Sequence, residues 1–411
     1  MTEAIAAQKK LPGPLDGIRI VEYGVFHAGP GGNAILGDLG ADIIKIEAFS
    51  GDPERYWTKV AGNDFSLKNN ESLIFDASNR NKKSICLDIK QEKGRAIFDR
   101  LVKDADVFLT NLRKSTKAAR GLDYAAISAL NPKIIYASVS GYGTEGAMSD
   151  LGAFDPLGSA RSGMMFVAGD PEPHLLHIGI LDQTTAITVS HAIITALLDR
   201  ERRGIGQEVH VSLYSTGLWM QYMNFLIAGV FSINPCILGD HTQHSPLRNR
   251  FRCKDNNWIF GTHHPENKYW TTFCKVTGQE ALLEDPHFTS ESGSPTNYPE
   301  LNQIFDEVFA TRTSDEWMEI FLPHGLMFCA VQNILDVVTD PQAMANEFLV
   351  PFDHPVQGKI KIPAYPIKFS GCTAETKTAA PQLGEHTDSV LQEAGYSLSE
   401  IDDLKKEGVV K

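Results

Sequence analysis

Four groups of residues carry side chains suited to chemistry. In HLLHIGILDQTTAITVSHAIITALL, residues 174–197, a single carboxylate, Asp182, stands between an apolar strand-like run and a long apolar helix-like run. A carboxylate taken out of water without partners is costly, so such an acid is capped, paired or employed. Asp182 reads either as the N-cap of the following helix, ahead of Gln183, Thr184 and Thr185, or as a reacting group. The second group is the turn Gly29-Pro30-Gly31-Gly32-Asn33-Ala34, which fits G-x-G-x-x-A, with Glu47 eighteen residues beyond Gly29. That is the outline of a dinucleotide-binding turn, although Pro30 removes one amide that a phosphate would use. The third group is cationic: SNRNKKS (78–84) and NLRKSTKAAR (111–120) hold Arg80, Lys82, Lys83, Arg113, Lys114, Lys117 and Arg120. Together they read as a clamp for a phosphate-rich ligand or as solvated surface. The fourth is His27, placed to donate a hydrogen bond to a reacting oxygen or to fill a turn. Of the other histidines, the pairs His263-His264 and His241 with His244 lack a third ligand at a metal-binding spacing, so no metal site is expected.

These residues need elements to position them, and the chain alternates strand-like and helix-like runs. After a leader ending at Pro14, LDGIRIVEYG, ADIIKIEAF, KSICLDI, DVFLTNL, KIIYASVSGYG and QEVHVSLY read as buried strands, separated by amphipathic helical segments. Strands alternating with helices imply a Rossmann-like α/β domain, a parallel sheet covered on both faces, with ligands at the carboxyl ends of the strands. His27 falls at one such end. Leu218 to Phe231 reads as one helix leading out of this domain, and from about residue 234 the texture changes to short strands and helices. The expected organisation is a large domain from 15–225, a smaller α+β domain from 234–339, and a return segment, 340–411, that completes the large domain.

With 411 residues, 42% hydrophobic, the chain supports two domains and a large core. A net charge of −13 argues against nucleic acid or an anionic membrane as a general partner. The six cysteines are scattered without a CxxC and read as buried thiols of a reducing cytoplasm. No signal pattern and no apolar run long enough to span a bilayer is present, so a cytoplasmic location is expected.

An ordered set of segments resembles the class III CoA-transferases, which include formyl-CoA transferase and the carnitine-handling CaiB enzymes. The segments are LDGIRIVEYG, HAGPGGNAILGDLGADIIKIE, GDPERYW, NRNKKSICLDIK, DVFLTNLR, ASVSGYG, GIGQEVHVSL and LGEHTDSVLQEAGYSLSEIDDLKKEGVV, from Leu15 to Val410. TNLRKSTKAARGLDY and TSDEWMEIF look most like the branch acting on 2-hydroxy acids, such as cinnamoyl-CoA:phenyllactate CoA-transferase.

The resemblance implies that Asp182 is the nucleophile. Its carboxylate would attack an acyl-CoA thioester, release CoA thiolate and form a mixed anhydride, with amides at the helix start favouring the ionised form. Asp155, in GAFDPLG, and His27 fall near the reacting centre. Asn81, Lys82, Asn111, Arg113 and Arg120 match segments holding the nucleotide end of CoA. Phe26, Trp57 and Phe154 fall around the substrate. Coenzyme A enters as substrate, with no permanently bound cofactor. An interlocked homodimer is expected, or a hetero-oligomer with a related subunit. Where formyl-CoA transferase has a glutamine this chain has His27, and where that enzyme has a glycine-rich lid this chain has HTQHSPLRNRF, with Arg248, Arg250 and Arg252. The aromatic residues and these arginines point to an aryl or branched 2-hydroxy acid, or a substituted succinate, as acceptor. The rival readings are an α-methylacyl-CoA racemase, which would need a histidine where Phe154 stands, and an NAD-dependent dehydrogenase resting on the glycine-rich turn and Glu47.

Overall fold

Short β-branched runs build the central sheet. The computed structural model describes residues 11–60, 62–169, 172–176, 179–236 and 240–411. Six strands, β1 (Arg19–Glu22), β2 (Asp42–Glu47), β3 (Lys82–Cys86), β4 (Val107–Thr110), β5 (Ile135–Ser140) and β6 (Gln207–Ser212), pair in parallel. Their order is β3-β2-β1-β4-β5-β6. That is the strand order of a doubly wound nucleotide-binding sheet, as the alternation of strands and helices leads one to expect. Alternate residues face opposite layers: Val21 and Ile44 join one apolar cluster with Phe98, Phe108 and Tyr136, while Ile20 and Ile43 join another with Leu109, Ile135 and Val189. Both faces are therefore covered, which is why the strands are apolar throughout rather than alternating.

The helices of this unit are α1 (Pro30–Asp38), α2 (Leu73–Asn79), α3 (Glu92–Lys103), α4 (Lys114–Ala119), α5 (Tyr124–Leu130), α6 (Asp155–Arg161), α7 (Ile180–Arg203), α8 (Leu213–Met220) and α9 (Tyr222–Phe231). The single helix expected over Leu218–Phe231 is instead two, broken at Gln221, whose side-chain amide donates to the carbonyls of Ser162 and Gly217. The strand-like run before Asp182 is not a strand over its described residues, and His177 and Ile178 lie outside them. Ile180 and Leu181 already belong to α7, so their apolar character serves a helix rather than a sheet.

The described residues fall into two compact units, one made of the chain up to 168 with 172–234 and 345–411, the other of 235–344. The return segment's helices Thr387–Glu393 and Leu398–Lys406 bury Val390, Leu391, Ile401 and Leu404 in the first of the two sheet-flanking clusters. The second unit is α+β: three antiparallel strands, Arg250–Arg252, Trp258–Gly261 and Phe328–Ala330, pack on an aromatic core of Trp270, Phe273, Phe305, Phe309, Trp317 and Phe321. No described helix is long and apolar enough to cross a membrane.

Candidate active site

Strand order reverses direction between β1 and β4, and loops leaving those strands diverge to open a crevice at their carboxyl ends. There a cleft of about 1040 Å³ is lined by Phe26 after β1, Asn111 and Arg113 after β4, and Asp182 of α7. It continues over β5 and β6, where Tyr136, Glu208 and His210 line it.

Asp182 is the third residue of α7, and the residue before the helix is Gly179, held at φ 59°. The N-cap reading of Asp182 is thus corrected. Asp155 performs that service: its Oδ2 accepts from the amides of Leu181 (2.6 Å) and Asp182 (3.0 Å). Asp155 is itself buried at the start of α6, where a first-turn acid is favoured. The Asp182 carboxylate accepts no hydrogen bond among the described residues and faces the cleft. Burial, reinforced by the neighbouring Asp155 charge, pushes its carboxyl up to about 7. The helix-start amides therefore do not hold Asp182 ionised, because Asp155 has already taken the two nearest it.

The three aromatic residues singled out in the sequence come together. Phe26 stands edge-on to Trp57 (6.0 Å between centroids) and to Phe154 (5.1 Å). Phe26 has φ 59°, an outlier for a bulky side chain, and its amide donates to Asp52 Oδ1 at 3.2 Å. His27 does not line the cleft. Its ring lies between Ser78 Oγ and Gln183 Oε1, each 2.7 Å away, and burial lowers its pKa, so it is neutral at physiological pH.

The cationic clusters divide. Arg113, Lys114 and Lys117 line the cleft, as does Asn111, which also exchanges two hydrogen bonds with the backbone of Val25 and so fixes the loop after β1. Arg120 is not among the lining residues; α4 ends at Ala119, the chain turns, and the Arg120 guanidinium donates to Tyr23 Oη at 3.3 Å. Two further expectations need correcting. The Lys82 ammonium is wholly buried, donating to both carboxylate oxygens of Glu22, to Pro30 O and to Asn79 Oδ1. No valence is left for a phosphate. Asn81 is spent on Asp38, Glu375, Lys377 and Thr378, tying the return segment to the sheet. Glu208 and His210, on β6, also line the cleft, and nothing in their sequence spacing signals it.

The glycine-rich turn serves packing. A Cβ on Gly31 would lie 3.0 Å from the His27 ring, and one on Gly32 would lie 2.3 Å from Val189. Glu47, which a dinucleotide ribose would require, is buried in a two-point ion pair with Arg55 and accepts from Ser84. Neither feature is free for NAD. Arg250 and Arg252 line a recess of about 490 Å³ within the second unit. Among the described residues no cluster of three or more His, Cys, Asp or Glu could hold a metal. Of the cysteines, Cys86, Cys253 and Cys274 are buried, but Cys236 and Cys372 are partly exposed and Cys329 exposed, so the expectation of six buried thiols holds for three.

A doubly wound sheet thus presents an unpaired, half-buried carboxylate and three cations in one cleft. The comparisons make this specific. The model of CoA-transferase family III matches residues 15–387, and the chain belongs to that family. It is 30% identical to (R)-2-hydroxy-4-methylpentanoate CoA-transferase of Clostridioides difficile, over 97% of this chain and 99% of that protein. It is 29% identical to cinnamoyl-CoA:phenyllactate CoA-transferase of Clostridium sporogenes, over 95% of this chain and 96% of that one. The crystal structure of a CAIB/BAIF family protein from Brucella suis superposes with a TM-score of 0.81 at 27% identity, covering 93% of this chain and 100% of that chain. The protein is a CoA-transferase enzyme.

Proposed function

We propose that this enzyme moves CoA from an acyl-CoA donor to a free carboxylic acid through a mixed anhydride on Asp182. The carrying observation is the Asp182 carboxylate, free of hydrogen-bond partners, in the same cleft as Arg113, Lys114 and Lys117. Attack of its oxygen on the thioester carbonyl breaks the C–S bond and releases CoA thiolate. The cations supply partners for the ligand's phosphates. The carboxylate of the incoming acid attacks the aspartyl carbonyl of this anhydride and displaces the donor's acyl group as its free acid; the thiolate then attacks the new acyl carbonyl, releasing the acceptor thioester and regenerating the Asp182 carboxylate. Half-burial of Asp182 limits water attack on the anhydride. Racemisation has no support here, since Phe154 stands where a second proton carrier would be needed.

The acceptor in this reading is an aryl or branched 2-hydroxy acid, or a substituted succinate. The edge-on cluster of Phe26, Trp57 and Phe154 supports it, because apolar burial contributes about 25 cal/mol per Å². Two named relatives act on acids of this kind. A homodimer fits α9, none of whose residues is buried and which leaves Met223, Val230 and Phe231 about 70% exposed.

The test offers succinyl-CoA, acetyl-CoA and cinnamoyl-CoA with a panel of free acids and identifies product thioesters by mass spectrometry. Phenyllactate, 2-hydroxy-4-methylpentanoate and benzylsuccinate should exceed formate, oxalate and glutarate in kcat/KM. The reverse ranking would overturn the acceptor assignment, and absence of any new thioester would overturn the transfer reaction itself.

A further inference from the structure

Behind the cleft, four side chains from four elements form a continuous polar chain that the reaction as described does not use. Glu54 lies in the short 3₁₀ turn Pro53–Tyr56, 1% exposed, within reach of the Ser78 hydroxyl, while its Oε2 has no partner. Ser78, in α2, is fully buried and its Oγ lies 2.7 Å from His27 Nδ1. His27 Nε2 lies 2.7 Å from Gln183 Oε1, and Gln183 is the exposed neighbour of Asp182 in the first turn of α7. The carbonyl end of Gln183 faces the ring, so Nε2 carries the imidazole proton and Nδ1 accepts from Ser78 O–H. The Ser78 oxygen is then left to accept, which a protonated Glu54 satisfies by donating. Every proton in the chain points one way. A consequence is that the two amide hydrogens of Gln183 are the end that faces outward.

We propose that Glu54, Ser78 and His27 are positioning residues whose shared protons decide which end of the Gln183 amide is presented beside Asp182. This rests on Asp182 being the acyl-carrying residue. In one state Glu54 is a neutral acid and Gln183 offers N–H donors to a substrate oxygen. In the other, Glu54 has lost its proton to solvent and accepts from Ser78 O–H; the neutral imidazole carries its proton on Nδ1 and donates it to Ser78 Oγ. Bare Nε2 then accepts from Gln183 Nε2–H, and the amide, turned over, presents its carbonyl oxygen. One proton leaves and no other charge changes. An outward carbonyl repels the carboxylate of the acceptor acid.

Burial, with Asp52 beside it, pushes the Glu54 carboxyl up to about 8, so the change falls just above neutral pH. The other charged groups facing the chain are Lys45 and Lys82 toward Glu54, and Arg80, Lys82 and Asp155 toward His27. Lys45, Lys82 and Arg80 are already paired, with Glu22, Asp52 and Asp38. Asp155 is held by two amides.

The test is the tautomer of His27 in the intact enzyme, read by nitrogen-15 NMR of histidine-labelled protein and assigned by comparison with His27→Gln. The wild type should show the Nε2–H form at pH 6.5 and the Nδ1–H form at pH 9.5; the isosteric Glu54→Gln and, separately, Ser78→Ala should hold one tautomer throughout. An unchanged tautomer in the wild type, or the same change in Glu54→Gln, overturns the proposal whether or not CoA transfer is observed. In the kinetic arm, the acceptor-acid KM of the wild type should rise about tenfold between pH 7.5 and 9.5, the scale of one hydrogen bond to a charged group, and stay level in Glu54→Gln. Equal pH dependence in the two proteins would overturn it.

Discussion

Asp155 governs Asp182 in two opposed ways: its Oδ2 holds the Asp182 amide at 3.0 Å, and its charge disfavours ionisation of the Asp182 carboxyl. One contact fixes the place of Asp182, and the other withholds its charge. A carboxyl poised near neutral pH becomes fully reactive when a cationic neighbour favours its negative form.

Removal of the nucleophile should abolish transfer and spare the fold. Asp182→Ala and Asp182→Asn are expected to lose at least a thousandfold in kcat, about 4 kcal/mol of barrier, because the covalent route then has no nucleophile at the start of α7. Hydroxylamine added with acyl-CoA should convert wild-type Asp182 to a hydroxamate detectable by peptide mass spectrometry. A tenth of the activity surviving in pure Asp182→Ala would rule out the anhydride.

The same carboxyl sets an acid limb. Attack requires the ionised form, so kcat/KM should climb with pH through about 7. In Asp155→Asn, which keeps an acceptor oxygen for the two amides but removes the charge, the limb should move to lower pH. Stability should run the other way. Because the fold raises this pKa above the ordinary value of 3.8, the protein loses stability as pH rises from there through about 7. Asp182→Asn should accordingly melt higher than wild type at pH 8 and no higher at pH 3.5, as calorimetry would determine.

Arg113 separates the two ends of the ligand. If it meets the 3′-phosphate, Arg113→Met should weaken CoA more than dephospho-CoA in calorimetric titrations, by about tenfold. Equal losses would place it against the pyrophosphate or the thioester arm.

Lys82 offers the complementary control. Replacing it with Met strands the Glu22 carboxylate, which is 0% exposed, with only Lys45 and Asn33 for company. A loss of about 3–5 kcal/mol in stability is expected, with little change in CoA affinity for the protein that remains folded. Denaturant melts and titration together decide it; weakened CoA binding without destabilisation would return Lys82 to the cleft.

The sheet was readable because its strands are buried on both faces and keep β-branched residues such as Ile43 and Ile44 side by side. The resemblance of whole segments pointed to Asp182, Asn111, Phe26 and Phe154, which the structure brings together along one cleft. SNRNKKS was misread for a physical reason: three neighbouring polar residues point three ways, Arg80 to Asp38, Asn81 to residues 375–378 and Lys82 to Glu22. Their partners are distant in sequence, and no local pattern encodes them. Asp155 as the cap of a helix 25 residues later is the same kind of fact. Gln183, Ser78 and Glu54 gave no signal at all, since a neutral hydrogen-bond chain leaves no charge or periodicity to read.

For anyone redesigning acceptor scope, the three clustered aromatic residues, of which Phe26 and Phe154 line the cleft, are not equally mutable. Trp57 and Phe154 are about half exposed and can be exchanged for their shape alone. Phe26 is different, because its left-handed backbone is held by Asp52, whose other oxygen is paired at 3.0 Å with buried Lys45. A library at position 26 therefore samples backbone as well as side chain, and glycine or asparagine there would reshape the loop that carries His27. Directed evolution of this enzyme should find its tolerant substitutions at 57 and 154, and its switches at 26.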